Sequence, residues 1–560
     1  MSFSASAAAD AGHPSEPPKA DRDWWRGAVI YQIYPRSFQD SNNDGVGDLS
    51  GIIHRLTHVS DLGVDAIWIS PFFRSPMLDF GYDVSDYRDV DPLFGTLGDF
   101  DALIARAHEL GLRVLIDLVM SHSSSEHPWF KESRSNRTNA KADWYVWADP
   151  KPDGTVPNNW LSIFGGPAWQ WDSERMQYYL HNFLAEQPDL NFHNPAVQDE
   201  MLDVARFWLD RGVDGFRLDT VNFYFHDAQL RDNPPLPEEE RNDNTAPSVN
   251  PYNFQDHLYD KTQPENLAFL RRLRAVMDEY PAAASVGEVG ESQRGTIVQA
   301  EYTAGNDLLH MCYDFDFLSS TYPGGREVAH VLQKFARFVK DGWACWAYSN
   351  HDVVRHPSRW GLGEPARRLY AALLMSIKGS VCLYQGEELG LGEAYVAYED
   401  LQDPYGKRFW PKFKGRDGCR TPMPWNGEAR NAGFSDAKPW LPVAVEHLDR
   451  AVSEQGRDPS STLAFYREMI RFRGIHPALV KGELELAEFD EGYVSFLRGD
   501  AGARVFCAFN LTGRPREISL PEGRWLRDPA APFEAEQISD DRYTLPAWQA
   551  IFATEEETDG

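Results

Sequence analysis

The stretch QDEMLDVARFWLDRGVDGFRLD (Gln198–Asp219) holds one complete unit of the fold. Its first part carries apolar residues at helical spacing and stops at Gly212, a common helix terminator. Its second part, DGFRLD (Asp214–Asp219), is a short run that ends in an acid. The unit recurs upstream, where DFDALIARAHELG (Asp99–Gly111) precedes RVLIDLV (Arg113–Val119). Six further short runs complete a series of eight: VIYQIY (Val29–Tyr34), DAIWIS (Asp65–Ser70), ASVGEV (Ala284–Val289), MCYDFDF (Met311–Phe317), ACWAYSN (Ala344–Asn350) and SVCLYQG (Ser380–Gly386). Continuous apolar runs of this length belong to strands buried on both faces, as in parallel sheets. Eight strands alternating with helices predict an α/β protein with a (β/α)8 TIM-type barrel.

Two connections exceed plain βα loops. Met120 to about Leu190, rich in Trp, Gly, Asn and Pro, predicts a subdomain inserted after the third strand. Phe223 to about Pro264 reads as an irregular excursion, and loops this long in a compact domain are usually functional. After the helix-like STLAFYREMIRFRG (Ser461–Gly474), GYVSFLRG, ARVFCAFN and RYTLPAWQAIFA predict an antiparallel β domain. The expected organisation is a tail at 1–22, the barrel at 23–120 and 191–475, an inserted subdomain at 121–190, and a C-terminal β domain at 476–560.

With 560 residues, more than one core is expected. The net charge of -30, from 55 basic and 85 acidic side chains, repels phosphate backbones and argues against a nucleic-acid partner. Five cysteines at wide spacing suggest neither a zinc site nor a disulfide framework. The first twenty residues lack the basic start and apolar core of a signal peptide. No apolar run reaches the roughly 18 residues of a membrane span, so the expected location is the cytoplasm.

Catalytic groups of a TIM-type barrel gather where strands end and βα loops begin. Here four predicted strands end in ionisable residues: Asp117 and His122, Arg217 and Asp219, Glu288, and His351 with Asp352. Singly, each is more often a helix cap. Four together predict carboxylates that shift one another's pKa, with one held as the acid while another stays ionised. Glycoside hydrolysis needs that pair. Arg217 lies two residues before Asp219, hence on the same strand face, where it would keep Asp219 ionised. The loop DSNNDGVGD (Asp40–Asp48) places oxygens at Asp40, Asn42, Asp44 and Asp48. It fits either Ca²⁺ or a plain Asx-rich turn, and it is not an EF-hand, because the twelfth position is Gly51.

DLVMSHS, GFRLDTVNF, VGEVGE, YSNHDVVR, QPDLNFHNP (Gln187–Pro195), DFGYD (Asp79–Asp83) and GRDGCRTPMPW (Gly415–Trp425) together resemble the α-amylase family, in its α-glucosidase and oligo-1,6-glucosidase branch. The likeness runs from about Trp24 to the end of the chain. It implies Asp219 as nucleophile, Glu288 as acid/base and Asp352 as a third, stabilising carboxylate. His122, His351 and Arg217 would line the first glucose subsite. Asp79 and Arg420 would grip the far hydroxyls of a terminal glucose, with Tyr82 stacking below it. Among the aromatic residues carried by loops, Phe164 and Phe183 are further candidates to face the sugar, whereas Trp169 and Trp171 read as loop packing.

The resemblance also implies Ca²⁺ in the Asp40–Asp48 loop (Mg²⁺ second), with Val46 adding its carbonyl. Thr220, after the nucleophile, implies preference for α-1,4 linkages. The expected activity is release of terminal glucose from maltose-type disaccharides and short oligosaccharides, extending to sucrose, with transfer to other acceptors as a side activity. A sucrose isomerase or other transglycosylase, or an oligo-1,6-glucosidase, on the same scaffold is the alternative. A non-catalytic sugar-binding relative is disfavoured, because all three acids are present. The expected assembly is a monomer or homodimer. Ser121 stands where most relatives carry Asn, so the role of that Asn does not carry over.

Overall fold

The computed structural model describes residues 21–313, 315–318, 322–501 and 503–556, so the first twenty residues of the expected tail lie outside it. All eight apolar runs form strands of one parallel sheet: β1 (Val29–Ile33), β2 (Ala66–Ile69), β3 (Arg113–Leu118), β4 (Gly215–Leu218), β5 (Ala284–Glu288), β6 (Met311–Tyr313), β7 (Cys345–Ala347) and β8 (Ser380–Tyr384). Their order is β6-β5-β4-β3-β2-β1-β8-β7. A parallel bridge between Cys312 and Ala344 joins the two outer strands and closes the barrel.

Strand alternation divides the side chains. Ile30, Ala66, Trp68, Leu115, Ala284, Val286, Met311, Tyr313, Cys345, Ala347 and Cys382 form one buried cluster, the barrel interior. Their neighbours, such as Val29, Tyr31, Ile67, Ile69, Val114 and Ile116, join the larger core beneath the surrounding helices. The helix expected at Gln198–Gly212 runs over Pro195–Asp210, capped by Asn194. Its buried Trp208 packs on Phe72, Phe73 and Phe100. Gly215 opens β4 at φ 152°, and a Cβ there would sit 1.9 Å from the Ala284 carbonyl oxygen. The β4–β5 spacing therefore demands glycine.

Between β3 and β4 the chain forms the helix Pro128–Ser135 and a three-stranded antiparallel sheet of Trp147–Ala148, Gln177–Leu180 and Trp169–Asp172. Beyond the helix Thr462–Ile475 lie a five-stranded and a three-stranded antiparallel sheet. None of the five cysteines forms a disulfide, and all are buried. Among the described residues no helix is long and apolar enough to cross a membrane.

Arg498, on the C-terminal strand Tyr493–Arg498, ties these sheets to the barrel. Its buried guanidinium donates to the carbonyls of Glu483 and Gly482, and to that of Ser376 at the end of the barrel helix Glu364–Ser376. The Ser376 and Gly482 carbonyls lose the Arg498 donor in Arg498→Ala, at about 1–3 kcal/mol for each group left unpaired, while Glu483 keeps the Gly499 amide. The variant is expected to melt several degrees lower than the wild type while keeping its kcat/KM at 25 °C. An unchanged melting temperature would show that Arg498 does not anchor the two parts.

Candidate active site

The register of β3, β4, β5 and β6 brings the acids together. Asp117 is opposite Arg217, which is opposite Val286, and Glu288 is opposite Tyr313. All lie on the inward parity, at the carboxyl end of the barrel. Arg217 is fully buried and is shared by three acids. Its Nη1 donates to Asp219 Oδ1 at 2.6 Å and to Asp117 Oδ1 at 2.8 Å, while Nη2 lies 2.6 Å from Glu288 Oε2. The Tyr313 hydroxyl accepts from Arg217 Nε and Nη2 and donates to Glu288 Oε1 at 3.2 Å.

Thr220 touches both Asp219 and Glu288. Its N–H donates to Glu288 Oε2 at 3.1 Å and its hydroxyl to Asp219 Oδ2 at 3.2 Å. It does so with φ 38° and ψ 52°, a left-handed conformation that costs an L-residue about 1–2 kcal/mol and suits a β-branched side chain least.

Asp352 enters from the loop after β7. Arg420 Nη2 and Arg416 Nη1 hold its Oδ1 at 2.8 and 3.2 Å. His351 Nε2 lies 3.2 Å from Oδ2. The Tyr82 ring lies parallel to the His351 ring at 5.4 Å, and its hydroxyl bonds both Asp117 Oδ2 and His351 Nε2.

Asp79, Tyr82, His122, Phe164, Phe183, Asp219, Thr220, Glu288 and Asp352 line one cavity of about 460 Å³. Phe183 packs on both His122 and Phe164. Arg217, His351 and Arg420 stand directly behind this wall. Trp169 stacks on Trp160, Trp171 meets Tyr178 edge to face, and neither lines the cavity. A second cavity, of about 400 Å³, opens where the strands begin, beside Trp25 and His310, and holds none of the converging acids.

One expectation is corrected. Arg420 does not pair with Asp79. It lies fully buried, with Nε on the His351 carbonyl and Nη2 on Asp352. The arginine at Asp79 is Arg416, whose Nη2 reaches Asp79 Oδ1 at 2.8 Å and Asp403 Oδ1 at 2.9 Å. Both arginines stand in GRDGCRTPMPW, and spacing alone does not tell them apart. Gln187, in QPDLNFHNP, joins the site without a spacing signal of its own: its Nε2 meets Asp79 Oδ2 at 3.1 Å and His122 Nε2 at 3.2 Å. Tyr313 was legible in principle, being two residues beyond inward-facing Met311.

Environment separates the acids. Burial pushes Glu288 up to about 8; Arg217 opposes this, while Asp219 and Asp352 add to it. Burial likewise lifts Asp117 to about 7 and Asp79 to about 6, against the pull of their arginines. Burial also works against Asp352, but His351, Arg416 and Arg420 hold it below the usual carboxylate range. His122 is lowered to about 4, chiefly by burial, and is neutral at pH 7.

The Asp40–Asp48 loop is closed by its own hydrogen bonds and lies outside the cavity. Asp40 accepts from Asn42, Asn43 and Gly45 N–H and from the Ser435 hydroxyl. Asn42 and Asp44 accept from the amides of Asp44 and Val46, and Asp48 accepts from Ser41 and Gly51. The donor set is all oxygen and suits a hard divalent cation in its chemistry. Among the described residues, however, no three His, Cys, Asp or Glu side chains converge on one point.

A family model described as "Alpha amylase, catalytic domain" matches residues 32–482. The chain is 63% identical over 537 residues to a probable alpha-glucosidase of Rhizobium meliloti (strain 1021), covering 95% of this chain and 97% of that one. It is 35% identical over 543 residues to an oligo-1,6-glucosidase of Heyndrickxia coagulans, covering 90% and 95%. Among solved structures, an alpha-glucosyl transfer enzyme, XgtA, superposes with a TM-score of 0.92 at 56% identity, covering 95% of this chain and 99% of that chain.

Arg217→Met removes the cation shared by three buried acids. Glu288 and Asp117, already raised by burial, lose the cation that opposes that rise and bind protons still more tightly in the folded state than in the unfolded one. Stability is therefore retained at low pH and lost as pH rises through the raised values. The deficit against wild type is expected to be on the order of 3–5 kcal/mol at pH 8 and smaller at pH 5. Paired thermal melts check this, and a deficit independent of pH would contradict it.

Proposed function

The chain belongs to the α-amylase family, and from that premise we propose that it is a retaining, exo-acting α-glucosidase releasing terminal glucose from short α-glucosides. The observation that carries this reading is one guanidinium, Arg217, binding both Asp219 and Glu288 at the floor of the cavity that also contains Asp352. Asp219 is the nucleophile, its Oδ1 held by Arg217 and its Oδ2 by the Thr220 hydroxyl. Glu288, lifted by burial, carries the proton that the departing glycosidic oxygen takes. After that departure it removes a proton from water, which releases glucose from Asp219. Asp352, pinned as an anion by its arginines, holds sugar hydroxyls and offsets the positive charge that develops on the ring.

The Asp79–Arg416 pair, steadied by Gln187, closes the far end of the first subsite around a terminal glucose. That closure supports exo action. The Thr220 hydroxyl supports α-1,4 over α-1,6 linkages, with maltose the preferred substrate and sucrose a second. The name of the solved neighbour, an alpha-glucosyl transfer enzyme, supports transfer to acceptors other than water. The second reading is an oligo-1,6-glucosidase, favoured by the name of a relative at 35% identity, or a sucrose isomerase. We place the protein in the cytoplasm as a monomer or homodimer. We further assign Ca²⁺ to the loop oxygens of Asp40, Asn42, Asp44 and Asp48 and the Val46 carbonyl, with Mg²⁺ second; there it stiffens the turn and takes no part in the chemistry.

Assays on maltose, isomaltose and sucrose test the function. Maltose is expected to be cut fastest, with α-glucose the first anomer seen by NMR; β-glucose first would contradict retention. Sucrose should give glucose and fructose, whereas isomaltulose or trehalulose would favour the isomerase reading. Asp219→Asn is expected to lose at least about 1,000-fold in kcat, or about 4 kcal/mol, and still fold. Because Glu288 must be protonated to act as the acid, kcat/KM on maltose should fall as pH rises through about 8. Glu288→Gln should abolish that limb and retain activity only on substrates with good leaving groups. For the metal, EDTA should lower the melting temperature and Ca²⁺ restore it better than Mg²⁺. Indifference to chelation would leave the loop a plain turn.

A further inference from the structure

Ser121 lies in the second layer of the site. It is almost fully buried, as are His122 and Gln187. Its Oγ is 2.8 Å from His122 Nδ1 and 3.1 Å from Thr220 Oγ1. Thr220 gives its own proton to Asp219 Oδ2. Ser121 must therefore donate to Thr220, and a lone pair of its oxygen accepts from His122 Nδ1–H. The far side of the ring agrees. Gln187 Oε1 accepts from the Leu184 amide, which turns its Nε2 donor toward Asp79 and His122 Nε2. The Tyr82 carbonyl, 3.1 Å from the same nitrogen, is the one neighbour that favours the other tautomer. A single line of donors thus runs from Gln187 through His122, Ser121 and Thr220 to Asp219.

The line ends on a residue that needs holding. Thr220 is β-branched, yet its backbone is left-handed, at φ 38°. Such a conformation persists only where the surroundings impose it. Here it aims one group at each acid: the N–H at Glu288 and the hydroxyl at Asp219. Relaxation of the turn would withdraw both.

We propose that Ser121 is a positioning residue for the reaction, its hydroxyl latching strained Thr220 so that Thr220 meets the nucleophile and the acid/base together. This rests on the α-glucosidase reading and goes beyond it, by giving a task to a residue that touches neither substrate nor the reacting carboxylates.

A double-mutant cycle on maltose tests the latch, with Ser121→Ala, Thr220→Val and the double variant. Release of Thr220 removes an N–H bond that favours ionised Glu288. The alkaline limb of kcat/KM should therefore move to higher pH, by about half a unit or more. kcat should fall about tenfold, with a smaller change in KM, and the double variant should match Thr220→Val alone. Thr220→Ser keeps the hydroxyl and should retain the wild-type limb. Ser121→Cys keeps the volume with weaker hydrogen bonding; it should shift the limb as Ser121→Ala does, and it covers the case in which the alanine variant does not fold. Packing alone would lower kcat without moving the limb. An unmoved limb in the Ser121 variants, additive effects in the double variant, or Thr220→Ser behaving like Thr220→Val each overturn the latch. An active wild type with an additive cycle overturns the latch only. A wild type that cuts neither maltose, isomaltose nor sucrose overturns the functional reading as well.

Discussion

At the centre of the barrel mouth one guanidinium binds three buried carboxyl groups. Arg217 touches Asp117, Asp219 and Glu288, and Tyr313 fills its remaining donors. Desolvating so many charges is expensive, and the arrangement is tolerable only because the groups balance one another. The residue charge is divided unequally. Glu288 is pushed toward its protonated form, while Asp352, a short way off, is held ionised by a separate pair of arginines. A site that must both give a proton and offset positive charge needs that inequality.

The parallel register makes the balance geometrically possible. In β4 the inward parity carries Arg217 and then Asp219 across the rim. In β3 it carries Leu115 and Asp117, and in β5 Val286 and Glu288. Below the rim the same parity is apolar, so the charged layer sits on a dry core. A one-residue slip in any of these strands would turn its acid toward the helices. Glycine at 215, where no Cβ fits against Ala284, keeps β4 close enough to β5 for one arginine to span both acids.

The eight strands were legible because each is buried on both faces and so appears as an apolar run. The acids were legible because they end those runs. What spacing did not resolve were the contacts made by long side chains from loops. Arg416 and Arg420 stand four residues apart in one motif; only the folded path of residues 403–420 shows Arg416 bridging Asp79 and Asp403 while Arg420 turns back to Asp352. Gln187 was invisible for the same reason, since its partners Asp79 and His122 lie 108 and 65 residues away. The run expected to reach Phe317 ends as a strand at Tyr313, because apolar pattern does not mark where pairing stops.

Covalent trapping at the Arg217-centred site tests the account most directly. A glucosyl fluoride carrying a second fluorine beside the ring oxygen reacts readily, through its good leaving group, yet forms an intermediate that breaks down slowly. Loss of the anomeric fluoride should leave a mass increase of one fluoroglucosyl unit per chain, located by peptide mapping on Asp219. Labelling of any other carboxylate, or inhibition with no covalent adduct, would contradict it.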